Sequence, residues 1–445
     1  MDGTYGGSAN TIDNSNVPPA GSAGNFTTIR AYNIPGQNGV NVYQPCKVIF
    51  SAGAGIWKTT GANALTYCKF EGIRFHDTTT FTGDDRNYFK QCAFKGTLDG
   101  NNATCGINGA FNLLEDCVAF DKGRYKFLTY DYGSGSTGGD NVYRRCIVRS
   151  DWAKRDDAGQ DPLAAFASYH NKRTQYLNCI VIDGDTPSQW MDDPSQLAGG
   201  FYQPNNTDAG YAMRVEGCII VNWAMGLVYT QGGSGHIVKN LAAAKVAGGL
   251  YLRGDTAVNN VSIVDLGLNN FSYRSSTQSS EVLGGDNGVI GDGAIDFYDS
   301  ILRDIAADGV NSLTVTSDYI NMYAIGGTDY VGSSPGANVY STDPFSNGLL
   351  YPPRIEIGSN LYTEGQIGGI LGANIINKLG IDGTFKDDAD YDTLQGALWP
   401  WPLEGWVRAE LQQADYATDP NRGFCATGQT LSGYIMNQFG NGDPY

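Results

Sequence analysis

The stretch Asn178-Cys179-Ile180-Val181 decides the fold, because close variants of this phrase recur along the chain. In each variant a cysteine follows a polar residue, or glycine in one case, and leads into a short, mostly apolar run. The cysteines of the phrase, 24 to 39 residues apart, are Cys68, Cys92, Cys117, Cys146, Cys179 and Cys218. The phrase continues without cysteine at 238–241, 260–263 and 298–301. A repeat of about 20 to 50 residues is typical of a solenoid.

These six cysteines are predicted to form one stack inside the solenoid. Rungs of a parallel solenoid lie about 4.8 Å apart, so one residue type recurs at the same interior point of each rung. A thiol packs in such a stack as a compact apolar side chain. Disulfides between adjacent rungs are the alternative, because stacked Cα atoms can approach the roughly 5.5 Å that a disulfide requires.

Composition agrees with many short strands joined by tight turns. Glycine contributes 60 of 445 residues, and 17% of residues are charged, below the roughly 25% of average soluble domains. The sequence therefore predicts an all-β chain, a right-handed parallel β-helix over residues 1–360. A small irregular C-terminal module over residues 361–445 is expected to close or cap it. We expect short helices in this module at 404–413 and 430–439.

Charge and motifs argue against several classes of protein. The formal net charge is −17, whereas a nucleic-acid binder needs a large basic face. No run of 18 apolar residues exists, so no membrane span is predicted. The cysteines form neither a CxxC pair nor a CxxCH motif, which argues against zinc ribbons, thioredoxin-like sites and covalent haem.

One segment departs from the acidic average. Residues 122–173 contain ten lysines and arginines against six aspartates. Adjacent rungs would bring these cations together as a groove for an acidic polysaccharide, with one of them acting as a lyase base. Salt bridges to acidic rungs, or to another copy of the protein, are the alternative. The candidate polyanion-binding residues are Arg144, Arg145, Arg149, Lys154, Arg155, His170, Lys172 and Arg173.

Clustered aspartates give a candidate calcium site. The residues are Asp183, Asp185, Asp192 and Asp193, and carboxylates on turns supply the oxygen ligands that Ca²⁺ accepts. Their spacing matches neither an EF-hand nor a nonapeptide repeat, and solvated turn aspartates are the alternative. No cofactor is expected to be required, and calcium is the ion this group can hold.

Tryptophans suggest two further roles. Trp152, Trp190 and Trp223 are candidates for stacking on sugar rings, with packing beneath loops as the alternative. Trp399 and Trp401 alternate with prolines and are predicted to form an apolar plug between the last rung and the tail, as an assembly or capping element. Proline cannot donate to a strand ladder, so this segment ends the stacking.

A family resemblance rests on both ends of the chain. The opening Asp2-Gly3-Thr4-Tyr5 and the strand at 24–31, GNFTTIRA, resemble the start of secreted pectate-lyase-like β-helix proteins. The segment 398–402, LWPWP, resembles the tail of a bacterial subgroup of β-helix proteins. The resemblance implies a β-helix that is secreted with a leader outside this chain. Polysaccharide lyases of this fold use lysine or arginine as the base, often with calcium, yet no motif here matches theirs residue by residue.

Two functions follow from these observations. The favoured one is an extracellular structural or cell-surface protein that assembles end to end into a filament, without enzymatic activity. Its support is the attraction expected between the basic segment and the acidic residues of 382–419 in another copy. The alternative is a polysaccharide lyase or acidic-glycan-binding protein that uses the basic central rungs. The expected partners are other copies of the protein or an extracellular polysaccharide.

Overall fold

The computed structural model describes most of the chain. The described residues are 18–37, 43–51, 65–76, 85–97, 102–130, 139–151, 163–184, 199–204, 210–267, 286–415, 419–426 and 428–440, with the short pieces 3–5, 12–13, 40–41, 57–58 and 79–82. Within these ranges no helix has the length and apolar character needed to span a membrane.

Strands dominate the regular secondary structure of the described chain. In chain order they are β1 Gly3–Tyr5, β2 Ile12–Asp13, β3 Thr27–Arg30, β4 Val48–Phe50, β5 Trp57–Lys58, β6 Cys68–Glu71, β7 Ile73–His76, β8 Thr79–Thr82, β9 Tyr88–Lys90, β10 Ala93–Gly96, β11 Ala103–Asn108, β12 Leu113–Glu115, β13 Val118–Asp121, β14 Tyr125–Tyr130, β15 Val142–Arg144, β16 Ile147–Arg149, β17 Ala164–Tyr169, β18 Thr174–Leu177, β19 Ile180–Gly184, β20 Gly199–Gln203, β21 Met213–Glu216, β22 Ile219–Trp223, β23 Val228–Thr230, β24 His236–Val246, β25 Leu250–Leu252, β26 Thr256–Leu266, β27 Val289–Gly291, β28 Ile295–Ile305, β29 Val310–Asn311, β30 Val315–Ile325, β31 Tyr330–Val331, β32 Val339–Tyr340, β33 Asn377–Leu379 and β34 Leu394–Ala397.

These strands form a parallel solenoid with three faces, which confirms the predicted all-β parallel class. The first face contains β3, β6, β9, β12, β15, β18, β21 and the first halves of β24, β26, β28 and β30. The second face contains β1, β4, β7, β10, β13, β16, β19, β22, the second halves of the same four long strands, and β32. The third face contains β8, β11, β14, β17, β20, β23, β25, β27, β29 and β31.

The corner between the first and second faces explains the polar residue in the repeated phrase. One residue per rung there adopts the left-handed conformation, with φ between 50° and 69°. Glycine, asparagine and aspartate tolerate this conformation better than other residues. We call these residues the first-corner row: Gly72, Gln91, Asp116, Arg145, Asn178, Gly217, Asn240, Asn260, Asp299 and Tyr319.

Aliphatic and aromatic side chains fill the interior. Phe166 stacks between Phe127 and Phe201, with ring centroids 5.3 Å and 5.2 Å away. These separations are close to the spacing of neighbouring strands. Equivalent side chains on successive rungs therefore contact one another along the axis, and the core is continuous from rung to rung.

The chain beyond β32 is a tail, residues 341–440, that returns along the solenoid toward its N-terminal rungs. It begins ahead of the boundary predicted near residue 360. The tail contacts the first-corner row in reverse order: Gln366 to Asp299, Asn374 to Asn240, Leu379 to Asn178, and Asp382 to Arg145.

Two layers of the tail cover the outer sides of the first and second faces. The antiparallel pair β33–β34 belongs to the first layer, where Leu379 and Phe385 pack over the first face. The second layer contains α1 Glu404–Leu411 and α2 Leu431–Gln438, close to the predicted helices. Short 3-10 turns lie at Pro344–Asn347, Asn360–Tyr362, Gln366–Gly368 and Gly423–Cys425. A small helical C-terminal module is thereby confirmed.

Candidate functional site

The centre of the predicted basic groove is buried beneath the tail. Arg144 has no exposed surface and lies 2.8 Å from the buried Glu115 carboxylate. Its guanidinium also donates to the carbonyl oxygens of Ile381 at 2.9 Å and Tyr391 at 2.7 Å. Every one of these acceptors belongs to the protein itself. The prediction that Arg144 contacts a polyanion is therefore wrong.

The Arg145 side chain likewise forms its ion pairs within the protein. Its side chain lies 2.7 Å from Asp116 on the preceding rung and 2.7 Å from Asp382 in the tail. Burial works to raise the pKa of Glu115, but Arg145, Lys90 and Arg144 hold that pKa below its ordinary value. Arg145 is an anchor for the tail, which corrects its assignment to a ligand groove.

Arg149 anchors a later part of the tail. It is fully buried and lies 2.8 Å from Asp151. Its guanidinium donates to the Leu411 carbonyl at 2.8 Å and to the Pro420 carbonyl at 3.2 Å. Burial works to lower its pKa, but the neighbouring carboxylate Asp151 raises it above the ordinary value. Its predicted place in the groove is also wrong.

The remaining basic candidates do not form one surface with these arginines. His170 is half-buried with its ring centroid 4.7 Å from that of Tyr169. Lys172 lies over the ring of Tyr211 at 5.6 Å. Arg173 is half-exposed and donates to Asp140 at 2.8 Å. Lys154 and Arg155 lie outside the described residues.

The basic segment 122–173 meets the acidic tail within one chain at Arg145, which lies 2.7 Å from Asp382. Cations outside that segment also pair with the tail: Arg86 lies 2.8 Å from Asp387, and Lys90 lies 3.2 Å from Asp382. The Arg145–Asp382 pair forms within one chain, whereas the sequence suggested attraction between copies of the protein.

One cluster of three carboxylates occurs among the described residues, and protein cations surround it. Glu115, Asp116 and Asp382 lie close enough to share an ion, but Lys90, Arg144 and Arg145 balance their three charges.

Asp183 is the described member of the predicted calcium site. Its buried carboxylate accepts hydrogen bonds from the Tyr434 hydroxyl, the Phe424 amide and Asn222. Asp183 therefore fastens the tail. Asp185, Asp192 and Asp193 lie outside the described residues.

All nine cysteines are buried, and none of them forms a disulfide. The strands that follow Cys92, Cys117, Cys146 and Cys179 pair in register, from Ala93–Val118 onward. The same register continues from Ile180 to Ile219, the residue after Cys218. Cys68 departs from this pattern, because it begins a first-face strand that pairs with β9. The prediction of one common strand position is wrong for Cys68.

The Trp399 and Trp401 rings are buried at the side of the solenoid. Trp399 donates its indole N–H to the Ile375 carbonyl at 2.6 Å. Both belong to the apolar cluster between the tail helices and the outer side of the second face. This placement corrects the prediction of a plug at the last rung. Trp223 is only 1% exposed, so it cannot stack on a sugar. Trp152 and Trp190 lie outside the described residues.

A row of tyrosines lies on the outer side of the third face. Tyr202, Tyr229 and Tyr251 occupy equivalent positions on β20, β23 and β25. Neighbouring residues of these strands, such as Phe201 and Val228, point into the core, so the tyrosines point outward. Their ring centroids are 5.2 Å and 5.3 Å apart. We call these three residues the tyrosine row.

The chemistry of the tyrosine row is polar and repetitive. Burial raises the pKa of Tyr202 and Tyr229, so at neutral pH their hydroxyls stay protonated and both donate and accept hydrogen bonds. Arg253 and Asp292 lie beside the row, 3.5 Å apart and partly exposed. Equivalent positions continue the strip with Ala167 on one side and Ile290 on the other. Tyr229 is only 6% exposed, so the half-buried Tyr202 and Tyr251 on either side of it provide most of the accessible tyrosine surface.

Sequence reasoning missed the tyrosine row, although a signal for it exists. The three tyrosines recur with the period of the rungs, but the third-face strands carry no repeated cysteine phrase. No protein-family model matches the chain, and no curated protein matches it either.

Proposed function

We propose that the protein binds a linear, uncharged polysaccharide along the tyrosine row. The supporting observation is the regular spacing of Tyr202, Tyr229 and Tyr251 along the solenoid axis. Tyrosine combines an apolar ring with a polar tip, and a sugar unit likewise has apolar C–H surfaces and hydroxyls. A ligand of this kind lies outside the cell, in keeping with the expected secretion.

Charge favours an uncharged polymer over an acidic one. The net charge of −17 disfavours the approach of a polyanion. Arg144, Arg145 and Arg149, which were expected to attract one, are buried beneath the tail. These three arginines were also candidates for the base of a lyase. Because they are buried, we propose that the protein binds the polysaccharide and do not propose that it cleaves it.

Removing the three hydroxyls of the tyrosine row is expected to weaken polysaccharide binding at least about tenfold. Each hydrogen bond contributes about 0.5–1.5 kcal/mol, and the triple variant Tyr202→Phe/Tyr229→Phe/Tyr251→Phe keeps the stacked rings. Affinity electrophoresis in native gels containing xyloglucan, galactomannan or polygalacturonate measures the effect as reduced retardation.

The matched control is Tyr143→Phe, which removes a hydroxyl from a tyrosine buried inside the solenoid. Its retardation should equal that of the unmodified protein. Retardation by polygalacturonate alone, by none of the three polymers, or equally in the triple variant contradicts the proposal.

End-to-end assembly is the second candidate function, and an open strand edge favours it. Among the described residues, β31 ends the third face with no strand paired beyond it. Leu313 and Val331 are 82% and 36% exposed at this end. An unpaired parallel edge can add a strand from another chain.

This candidate predicts long fibres in electron micrographs of the purified protein as its concentration rises. The double variant Leu313→Lys/Val331→Lys should give single rods under the same conditions, because charges at a strand edge oppose pairing. Single rods of the unmodified protein at every concentration would end this candidate.

A further inference from the structure

A cavity of about 280 Å³ lies between the first-corner row and the tail. The row presents Asn178, Asn240 and Asn260 on this side, and Gly217 interrupts it between the first two. The tail closes the other side with Asn374 and neighbouring residues. The volume is slightly below the roughly 300 Å³ at which pockets for drug-sized ligands begin, so it suits a single ring.

Three amide groups leave hydrogen-bonding atoms available in the cavity wall. Asn240 accepts the Asn374 amide at Oδ1, 3.3 Å away, and no described residue accepts from its Nδ2. Asn260 donates Nδ2 to the Ile370 carbonyl at 2.7 Å, and no described residue donates to its Oδ1. The Asn374 Oδ1 atom has no hydrogen-bond partner and almost no accessible surface. An unsatisfied buried acceptor costs about 1–3 kcal/mol, and a turn of the Asn374 side chain toward the cavity would let a ligand hydroxyl recover that cost.

The remaining lining is apolar or charge-balanced. Ile376 and Leu394 are 37% and 69% exposed and lie in the cavity wall, where they can contact C–H groups of a ligand. The Glu216 carboxylate pairs with Arg214 and lies 3.6 Å from Lys239. The wall therefore offers both donors and acceptors without a charge that calls for an ionic partner.

We propose that this cavity binds one uncharged, hydroxyl-rich ring, such as a single hexose unit. A hydroxyl can donate to Asn374 Oδ1 or Asn260 Oδ1 and accept from Asn240 Nδ2. The site does not rest on the tyrosine row, because that row lies on the third face and the cavity lies at the first corner.

Saturation-transfer difference NMR on the full chain tests the proposal, with the methyl glycosides of glucose, galactose and N-acetylglucosamine as probes. We expect transfer to at least one probe. Asn374→Leu removes the unpaired acceptor but keeps the backbone N–H that contacts Asn240, so the tail should stay docked. This variant should bind the same probe at least about tenfold more weakly, because one hydrogen bond and some cavity volume are lost.

Control variants separate the cavity from other sites. Asn360→Leu makes the same change at an exposed position of the tail and should keep full binding, as should the triple tyrosine variant. Leu394→Trp narrows the cavity at an exposed position and should also weaken binding, which covers the case in which Asn374→Leu misfolds. No transfer to any probe, or equal transfer in both cavity variants, overturns the proposal. Loss only in the triple tyrosine variant overturns it as well.

Discussion

Replacing Arg144 with alanine is expected to lower the free energy of unfolding by about 3–5 kcal/mol. The guanidinium has no exposed surface, and its removal leaves the buried Glu115 carboxylate short of one cation. The carbonyls of Ile381, Thr384 and Tyr391 lose their shared donor at the same time. Buried groups without partners carry the full cost of their lost hydration. Urea denaturation followed by circular dichroism measures the change.

Arg173→Ala is the matched control, because both arginines belong to the same predicted basic set and each has an acidic partner. The Arg173 side chain is 50% exposed and pairs with Asp140. Exposed ion pairs contribute about 1 kcal/mol or less. Similar losses in the two variants would contradict the claim that Arg144 acts as a buried anchor.

Replacing Glu410 with alanine is expected to cost about 3–5 kcal/mol as well. This carboxylate is fully buried on α1 and lies 2.7 Å from the Arg74 guanidinium on β7. It also accepts hydrogen bonds from the Cys46 amide and the Trp406 indole. The substitution leaves the buried Arg74 cation and these two hydrogen-bond donors without their partner. Because Trp399, Trp401 and Trp406 lie in the tail, urea titration followed by tryptophan fluorescence reports on its release.

Two variants test the cause of this loss. Glu404→Ala changes a glutamate on the same helix that accepts one hydrogen bond, from the Leu431 amide, and should cost about 0.5–1.5 kcal/mol. The double variant Arg74→Met/Glu410→Met should recover the part of the loss that comes from the unpaired Arg74 cation, since a buried ion pair can be replaced by apolar side chains of similar size. A double variant no more stable than Glu410→Ala would argue against an ion-pair origin.

The fold was predictable because the repeated phrase contains a conformational signal. Its polar residue occupies the first-corner row, where Asn178 and Asn240 adopt φ near 50°. The repeated phrase gave a wrong position for Cys68. Tyr67, which precedes it, also has a left-handed φ, but Tyr67 lies at the corner before the first face. A short local pattern cannot distinguish two corners with the same backbone conformation.

The candidate site was less predictable because burial depends on partners far away in the sequence. Arg145 meets Asp382, which lies 237 residues further along the chain. A count of local charges treats such an arginine as available to a ligand. The cavity was not predictable for the same reason. It depends on a glycine within the first-corner row and on the tail segment that packs opposite that glycine, which is distant in the sequence.

The reversed course of the tail has a consequence for biosynthesis. Ile147 and Ile180 on the outer side of the second face share an apolar cluster with Leu431 of the tail, which is synthesised long after them. At about 5–20 residues per second, the early rungs wait tens of seconds for this cover. A nascent chain therefore exposes a long apolar surface until the tail has been synthesised. The step most prone to aggregation should be the interval before the tail docks, rather than the assembly of the rungs themselves.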